Sequence, residues 1–195
     1  MPKLPETLPV GPLTLCRWRV ADTADALAAI EASVDDLRLW MDWAADGVPS
    51  ESAQREVFRR GEAAFDEGAE FGYVLREAAN GEIVGGCGLL PRVGPGGIEL
   101  GYWVRSDRHS RGYATAAARA LTTASFAWLP EVHRVEIHVD EGNRASARVP
   151  VKLGYRAERR EQRERVAPGQ TGTCVIWVMH RQEWEKGVQA GPPLS

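Results

Sequence analysis

The sequence predicts one mixed α/β domain, and three observations carry that expectation. The chain has 195 residues, 44% of them hydrophobic, enough for one substantial core and too few for two full domains. Runs with a two-residue hydrophobic period are interspersed with runs of helical period, in the order strand, two helices, three strands, helix, strand, helix, strand. Both ends are rich in proline, glycine and small residues and follow neither period. Residues 1–12 and 185–195 are therefore expected as flexible tails around a domain spanning 13–184.

Residues 13–20 read as the first strand. A helix follows over 23–33, with Ala26, Leu27 and Ile30 on one face and Asp22 at the capping position. Ser50 caps a second helix, whose apolar face runs through Val57, Phe58 and Phe65 to a stop near Gly68. Residues 71–76 and 83–90 are β-rich and flank Asn80-Gly81, the turn signal of an antiparallel hairpin. Gly94-Pro95-Gly96-Gly97 turns the chain into a third strand over 98–104, where Ile98, Leu100, Tyr102 and Val104 alternate. Residues 113–128 are alanine-rich and place Tyr113, Ala117, Leu121, Ala124 and Trp128 along one stripe, predicting a long buried helix. A strand over 132–139, a short helix over 143–153 closed by Gly154, and a strand over 174–180 complete the pattern. Residues 156–165 carry 5 Arg and 3 Glu, and the 156–172 connection reads as a solvated hairpin.

Charge and cysteine usage exclude several classes. Lys and Arg total 24 against 27 Asp and Glu, so no bulk charge draws the protein to nucleic acid or an anionic membrane. The interleaved glutamates and lack of aromatics in 156–165 also argue against a base-stacking platform. Cys16, Cys87 and Cys174 are far apart and form no Cys-x-x-Cys pair, so neither a disulfide framework nor a zinc site is expected. His109, His133, His138 and His180 show no ligand spacing, and no metal is assigned. No apolar run approaches the ~20 residues of a membrane span, and residues 1–7 lack a secretory pattern. A cytoplasmic setting is the expectation.

The segment Arg105-Ser-Asp-Arg-His-Ser-Arg-Gly-Tyr-Ala-Thr115 leaves a strand and enters a helix. At such a helix start the first backbone N–H groups point outward unsatisfied and the helix dipole adds positive potential, so a phosphate is stabilised there. Gly112 allows close approach, and Arg108 and Arg111 can add charge. A solvated basic turn is the plainer alternative. The glycine-rich Gly85-Gly86-Cys87-Gly88 lacks the third glycine of a dinucleotide fingerprint, and no Gly-Lys-Ser/Thr occurs.

With these residues in place, the chain resembles the GNAT acyltransferase superfamily, and within it the RimJ/RimL-type N-acetyltransferases. His109-Ser110-Arg111-Gly112-Tyr113-Ala114 is similar to the superfamily's Gln/Arg-x-x-Gly-x-Gly/Ala pyrophosphate turn, with His109 in place of the usual Gln or Arg. Glu99-Leu-Gly-Tyr-Trp-Val104 resembles its Glu-Ile-Gly-Tyr strand, Asn143-Arg-Ala-Ser146 its Asn-x-x-Ser, Lys152-Leu-Gly-Tyr155 its Lys-Leu-Gly-Phe, and Leu39-Trp-Met-Asp-Trp43 its acceptor-side segment. The resemblance implies a GNAT fold, a central mixed, mostly antiparallel sheet flanked by helices. It also implies acetyl-CoA as cosubstrate and direct transfer of acetyl to a primary amine, foremost a protein or peptide α-amine. A small-molecule amine, or a non-catalytic acyl-CoA-binding module, are the alternatives.

By the same resemblance, backbone groups of Tyr102, Trp103 and Val104 would contact the pantetheine arm, and the 109–115 turn (His109, Ser110, Arg111, Gly112, Tyr113, Ala114 and Thr115) the pyrophosphate. Glu99, a carboxylate on a mostly apolar strand, is the candidate for taking the amine's proton through water, with a structural ion pair as its alternative. Asn143 and Ser146 stand at a helix start, where they can orient the thioester and return a proton to sulfur; plain capping explains Asn143 as well. Many relatives carry a tyrosine seven residues after the Asn, where this chain has Pro150. Trp40, Trp43 and Trp103 could wall the acceptor pocket or simply pack in the core. The expected partners are acetyl-CoA and an amine acceptor; among oligomers a homodimer is the commonest.

Overall fold

The protein is described here by a computed structural model covering residues 3–190. Eight strands form one sheet in the order β1-β2-β3-β4-β5-β6-β8-β7. They are β1 (Thr7–Val10), β2 (Leu13–Arg17), β3 (Phe71–Glu77), β4 (Ile83–Leu90), β5 (Gly97–Val104), β6 (Arg134–Asp140), β7 (Arg156–Gln162) and β8 (Thr173–His180). All neighbours pair antiparallel except β5 and β6, which run parallel. The helices are α1 (Thr23–Glu31), α2 (Val34–Trp40), α3 (Glu51–Glu67), α4 (Tyr113–Trp128), α5 (Arg144–Lys152) and α6 (Arg181–Ala190). The mixed, mostly antiparallel sheet flanked by helices is the architecture the resemblance implies.

Strand alternation divides the core between two faces. Leu15, Tyr73, Leu75, Leu89, Leu100, Val135 and Ile137 face the α4 side and close around Ala117, Ala118 and Leu121. On the other face Ala26, Ala29, Phe58, Val74 and Ile83 form a second cluster under α1 and α3, joined by Trp18 and Trp103. Gly86 of β4 makes room for those indoles: a Cβ there would lie 2.7 Å from Trp103 Nε1 and 3.0 Å from Trp18 Cζ2. Its neighbours Gly85 and Gly88 lie instead against the backbones of Trp103 and Phe71.

Local signals explain most boundaries. Ser50 Oγ accepts the Ala53 N–H at 3.2 Å to start α3, and Gly68, at φ +72°, ends it. Asn80 Oδ1 accepts the Glu82 N–H, fixing the β3–β4 turn. Asp22 precedes α1 but makes no cap there; its carboxylate instead accepts the Arg19 N–H and pairs with Arg76. The first strand ends at Arg17, because Val20–Asp22 turns as a 3-10 helix.

The structure corrects both expected tails. Thr7–Val10 pairs with β2, and Leu4 is buried, so residues 3–12 extend the sheet and core. At the other end α6 runs through Ala190; its Trp184 joins the main core, and residues 191–195 lie outside the described part. The helix α2 falls where no element is expected, and β7 is the outer strand of the hairpin expected after residue 156. A four-residue strand containing Pro9 and a seven-residue helix are too short to show a period.

The amino-terminal strand is locked by Arg17. Its buried guanidinium bonds Glu6 at 2.8 Å, Asp66 at 2.7 Å and the Glu62 carbonyl at 2.9 Å, and lies over the Phe65 ring. Glu6 and Asp66 are exposed and resolvate if the arginine is lost, so no charge would be stranded. Replacing Arg17 by Ala is therefore expected to cost about 2 kcal/mol through lost packing and hydrogen bonds, read as a melting temperature lower by roughly 6 °C.

Candidate active site

The site begins where two parallel strands part. β5 and β6 pair only from Gly97 to Glu99 and from Arg134 to Glu136. Beyond that point the β6-facing backbone groups of β5 have no strand partner, and a cleft opens between the carboxyl ends of the two strands. Helices α4 and α5 follow these strands and bring their amino termini to the same opening.

One part of the cleft, about 560 Å³, is lined by Tyr102, Trp103 and Val104 of β5, by His109, Ser110 and Gly112 of the turn, by Tyr113, Ala114 and Thr115 of α4, and by Asn143 and Ser146. In α4 the first intrahelical bond runs from the Ala116 N–H to the Gly112 carbonyl, so the N–H groups of Tyr113, Ala114 and Thr115 have no intrahelical acceptor. Gly112, at φ +82°, makes the left-handed turn into the helix, and a Cβ there would meet nothing within 4 Å. Ser110 is the one non-glycine residue with positive φ among the described residues. Open backbone donors beside an empty glycine cradle fit a phosphate.

The side chains of the turn divide differently from the sequence expectation. His109 Nε2 lies 2.9 Å from the Val104 carbonyl, tying the turn back to its strand. Arg108 borders the cleft but is engaged by Asp107, Glu82 and Glu77, and Arg111 is exposed, 4.0 Å from Glu77, and does not line the cleft. The other cations lining this part of the cleft are Arg148 and Lys152 of α5, which have no ion pair among the described residues and which sequence reasoning missed. Their spacing of four on one helix face was the available signal.

At the start of α5, Asn143 Oδ1 accepts the Ser146 N–H at 3.0 Å, so Asn143 is a helix cap that also borders the cleft. Tyr102 Oη reaches Ser146 from β5, at 3.1 Å from both Oγ and the carbonyl oxygen. Burial pushes the Tyr102 phenol up to about 12, so it stays a protonated donor. Pro150 lies inside α5 without ending it, and no tyrosine comes from that helix. The hydroxyl beside Ser146 comes from the sheet.

Beyond Ser146 the cleft continues into a groove of about 690 Å³ that holds Glu99, His138, Trp40 and Trp43. Trp40 is half-buried and borders both parts; Trp43 is 44% exposed and packs at a tilt against Trp103. The connection after β7 meets the end of α2, with the Gly169 N–H on the Leu39 carbonyl at 2.9 Å and Gln170 Nε2 on the Trp40 carbonyl at 3.2 Å. A Cβ at Gly169 would lie 2.7 Å from the Leu39 carbonyl oxygen, so only glycine permits this closure.

Glu99 is buried and held by Arg92, with Nε on Oε2 at 2.7 Å and Nη2 on Oε1 at 2.5 Å. The ion pair expected as an alternative is thus present, and the carboxylate still borders the groove. Beside it Glu136 is fully buried. Burial alone would push its carboxyl up, but hydrogen bonds from Arg134, His138 and Arg159 prevail and hold it at about 2. Among the described residues no three His, Cys, Asp or Glu side chains form a metal-holding group, and no helix is long and apolar enough to cross a membrane.

Open backbone donors at a helix start, an unpaired strand edge and a lateral groove thus meet in one cleft. Residues 13–156 match the family described as the acetyltransferase (GNAT) domain, and the chain belongs to that family. YdaF of Bacillus subtilis (strain 168), whose name assigns it provisionally as a ribosomal N-acetyltransferase, is 33% identical over 87 residues. That stretch is 45% of this chain and spans about half, 47%, of the curated relative. The structure of RimL, a ribosomal L7/L12 α-N-protein acetyltransferase in complex with coenzyme A, superposes with a TM-score of 0.82 at 17% identity over 91% of this chain and 99% of that one. RimJ of Mycobacterium smegmatis, in complex with a CoA disulfide, superposes at 0.77 with 24% identity over 91% and 87%. Both likenesses establish the shared fold.

Two outcomes are expected. Gly112→Val places a β-branched residue in a left-handed conformation and fills the cradle, and should weaken coenzyme A affinity at least about tenfold by calorimetry; unchanged affinity would remove the turn from the site. Because the folded value of Glu136 lies below the ordinary 4.5, its stabilisation is complete above that pH and is lost as pH falls toward 2. Acid titration of stability should show a loss of about 3 kcal/mol across this window, and a much shallower one in Glu136→Gln.

Proposed function

We propose that this protein is an acetyl-CoA-dependent N-acetyltransferase that transfers acetyl directly to a primary amine, the α-amine of a protein or peptide above all, in the cytoplasm. The observation that carries this reading is the single cleft with phosphate donors at one end, Ser146 in the middle and Glu99 at the other end. The names of the relatives support the acceptor class, as does a groove walled by Trp40, Trp43 and Trp103.

In this reading acetyl-CoA supplies the thioester, and the chain supplies position and proton transfer. The N–H groups at the start of α4 hold the pyrophosphate, with Arg148 and Lys152 adding positive charge. The open edge of β5 at Tyr102, Trp103 and Val104 pairs with the pantetheine amides, and one of its N–H groups faces the carbonyl oxygen as negative charge develops. Glu99 receives the amine's proton directly or through a water, so that nitrogen forms its bond to carbon as the carbon–sulfur bond breaks. Ser146 passes a proton to the thiolate and takes its replacement from solvent in the open cleft, its hydroxyl oriented by Tyr102 Oη and its backbone N–H held by Asn143. Cys87 and Cys174 are buried and burial pushes both thiols up, so neither suits a covalent route. The transferring unit runs from residue 13 to residue 184, with β1 and the end of α6 completing its edges.

The test is release of free coenzyme A from acetyl-CoA in the presence of amino-terminal peptides, amino acids, polyamines or aminoglycosides, with cofactor binding measured in the same samples. Release with peptides is expected. Release with only one small-amine class would replace the acceptor, and binding without release from any of them would favour a non-catalytic module. Glu99→Gln is expected to lower kcat about 100-fold and Ser146→Ala by a smaller factor, both with coenzyme A affinity intact; unaltered rates in both would overturn these roles.

A further inference from the structure

A second buried carboxylate lies behind Glu99, and an imidazole stands between the two. His138 Nε2 is 2.8 Å from Glu136 Oε2, and its Nδ1 is 3.3 Å from Glu99 Oε2. The same Nδ1 is 3.0 Å from Nη2 of Arg163. Nδ1 makes its hydrogen bond with Arg163, which can only donate, and none with Glu99, while Nε2 bonds Glu136, which can only accept; this pattern is that of an imidazole carrying its hydrogen on Nε2 with the Nδ1 lone pair taken up by Arg163. That lone pair lies beside Glu99 on the groove side of the sheet.

We propose that His138 is the proton acceptor behind Glu99, with Glu136 holding its tautomer. This inference rests on the acetyl-transfer reading above. Arg92 grips both oxygens of Glu99, so a proton reaching that carboxylate meets a permanent cation on one side and the imidazole lone pair on the other. Passing the proton to Nδ1 leaves Glu99 ionised beside Arg92 and creates an imidazolium between two carboxylates. The step balances: the amine loses one proton, Nδ1 gains it, and His138 releases it to solvent after the amide has formed. Arg163 is the only other group on Nδ1 among the described contacts; it is 43% exposed, is tethered by Glu161, and must swing aside to let Nδ1–H turn to Glu99. The remaining charges around the ring face Glu136 and the loop: Arg134 and Arg159 bond Glu136, while Asp140 is occupied by Thr171, Gly142 and Gly172.

A merely structural histidine in an ion-pair lattice would matter for folding and leave the pH profile of turnover unchanged, which makes the two roles separable. His138→Gln, which retains a polar side chain, is expected to lower kcat about 100-fold while acceptor KM and coenzyme A affinity change less than about threefold. The acid limb of kcat should move by a unit or more, and imidazole added to His138→Ala should restore part of the rate. The nitrogen-15 spectrum of the resting wild-type protein should show His138 protonated at Nε2 and bare at Nδ1. A bare Nε2, an already protonated Nδ1, or His138→Gln turning over at the wild-type rate and pH profile would each overturn the relay alone. A wild-type chain that acetylates no amine would overturn the transfer reading and the relay with it.

Discussion

Strands β5 and β6 run side by side for three residue pairs and then separate, and that separation sets the terms for everything around it. A parallel pair continuing to Val104 would satisfy the backbone of β5 and leave no cleft. Parting the strands exposes a row of hydrogen-bonding groups inside the fold, which must find partners other than a neighbouring strand. It also places the helices that follow each strand at the opening, so α4 and α5 both present their positive ends to one volume. His109 satisfies the Val104 carbonyl at the far end of β5, and the groups between it and Glu99 remain for a ligand. The edge of a strand and the ends of two helices thus form a binding surface made largely of main chain.

The other side of the cleft depends on small residues that let large ones approach. Gly86 accepts the indoles of Trp18 and Trp103, and through Trp103 the strand touches both Trp43 and the cluster of Ile30, Leu37 and Ala44 below α2. Gly169 then allows the connection after β7 to rest on the last carbonyls of α2. The groove holding Glu99 is therefore bounded by elements far apart in sequence, held together by indole packing and by backbone contacts at Gly169.

How much of this the sequence discloses varies with the reach of the interaction involved. The 113–128 helix, the Asn80-Gly81 hairpin and the Ser50 cap are local, and their periods or turn chemistry suffice to place them. The left-handed turn into the 113–128 helix is legible for a similar reason, since Gly112 and the small residues after it are contiguous. The ion pairing of Arg108 and the approach of Arg111 to Glu77 are not legible, because Glu77 and Glu82 come from the β3–β4 hairpin. Glu99 is legible as a candidate, whereas Arg92, Glu136 and Arg159 around it depend on strand register and could not be paired in advance. The tails are missed because pairing with β2 and packing of Trp184, not local propensity, order them.

The charged lattice around Glu136 has a role in the architecture as well as at the site. On the face carrying Glu99, helices α1 and α3 cover β3 and β4, while Cys174, Ile176 and Val178 of β8 form a buried cluster with no helix residue in it. Side chains of β6 and β7 flank those apolar residues; Arg159 reaches Glu136 and Arg163 reaches His138 across β8, while Arg134 on Glu136 and Arg159 and Arg163 on Glu161 pair two residues apart along the chain. Long arginine stems cover apolar surface while their heads stay paired, which explains how Ile176 and Val178 are fully buried without an overlying helix. The interspersed Arg and Glu of β7 also charge the exposed edge of the sheet against pairing with another strand. Because the lattice already holds Glu136 ionised and rigid for structural reasons, His138 is oriented without a separate device. A sheet face left uncovered by helices is what permits an ion-pair network at this position, and the groove beside Glu99 opens onto its inner end.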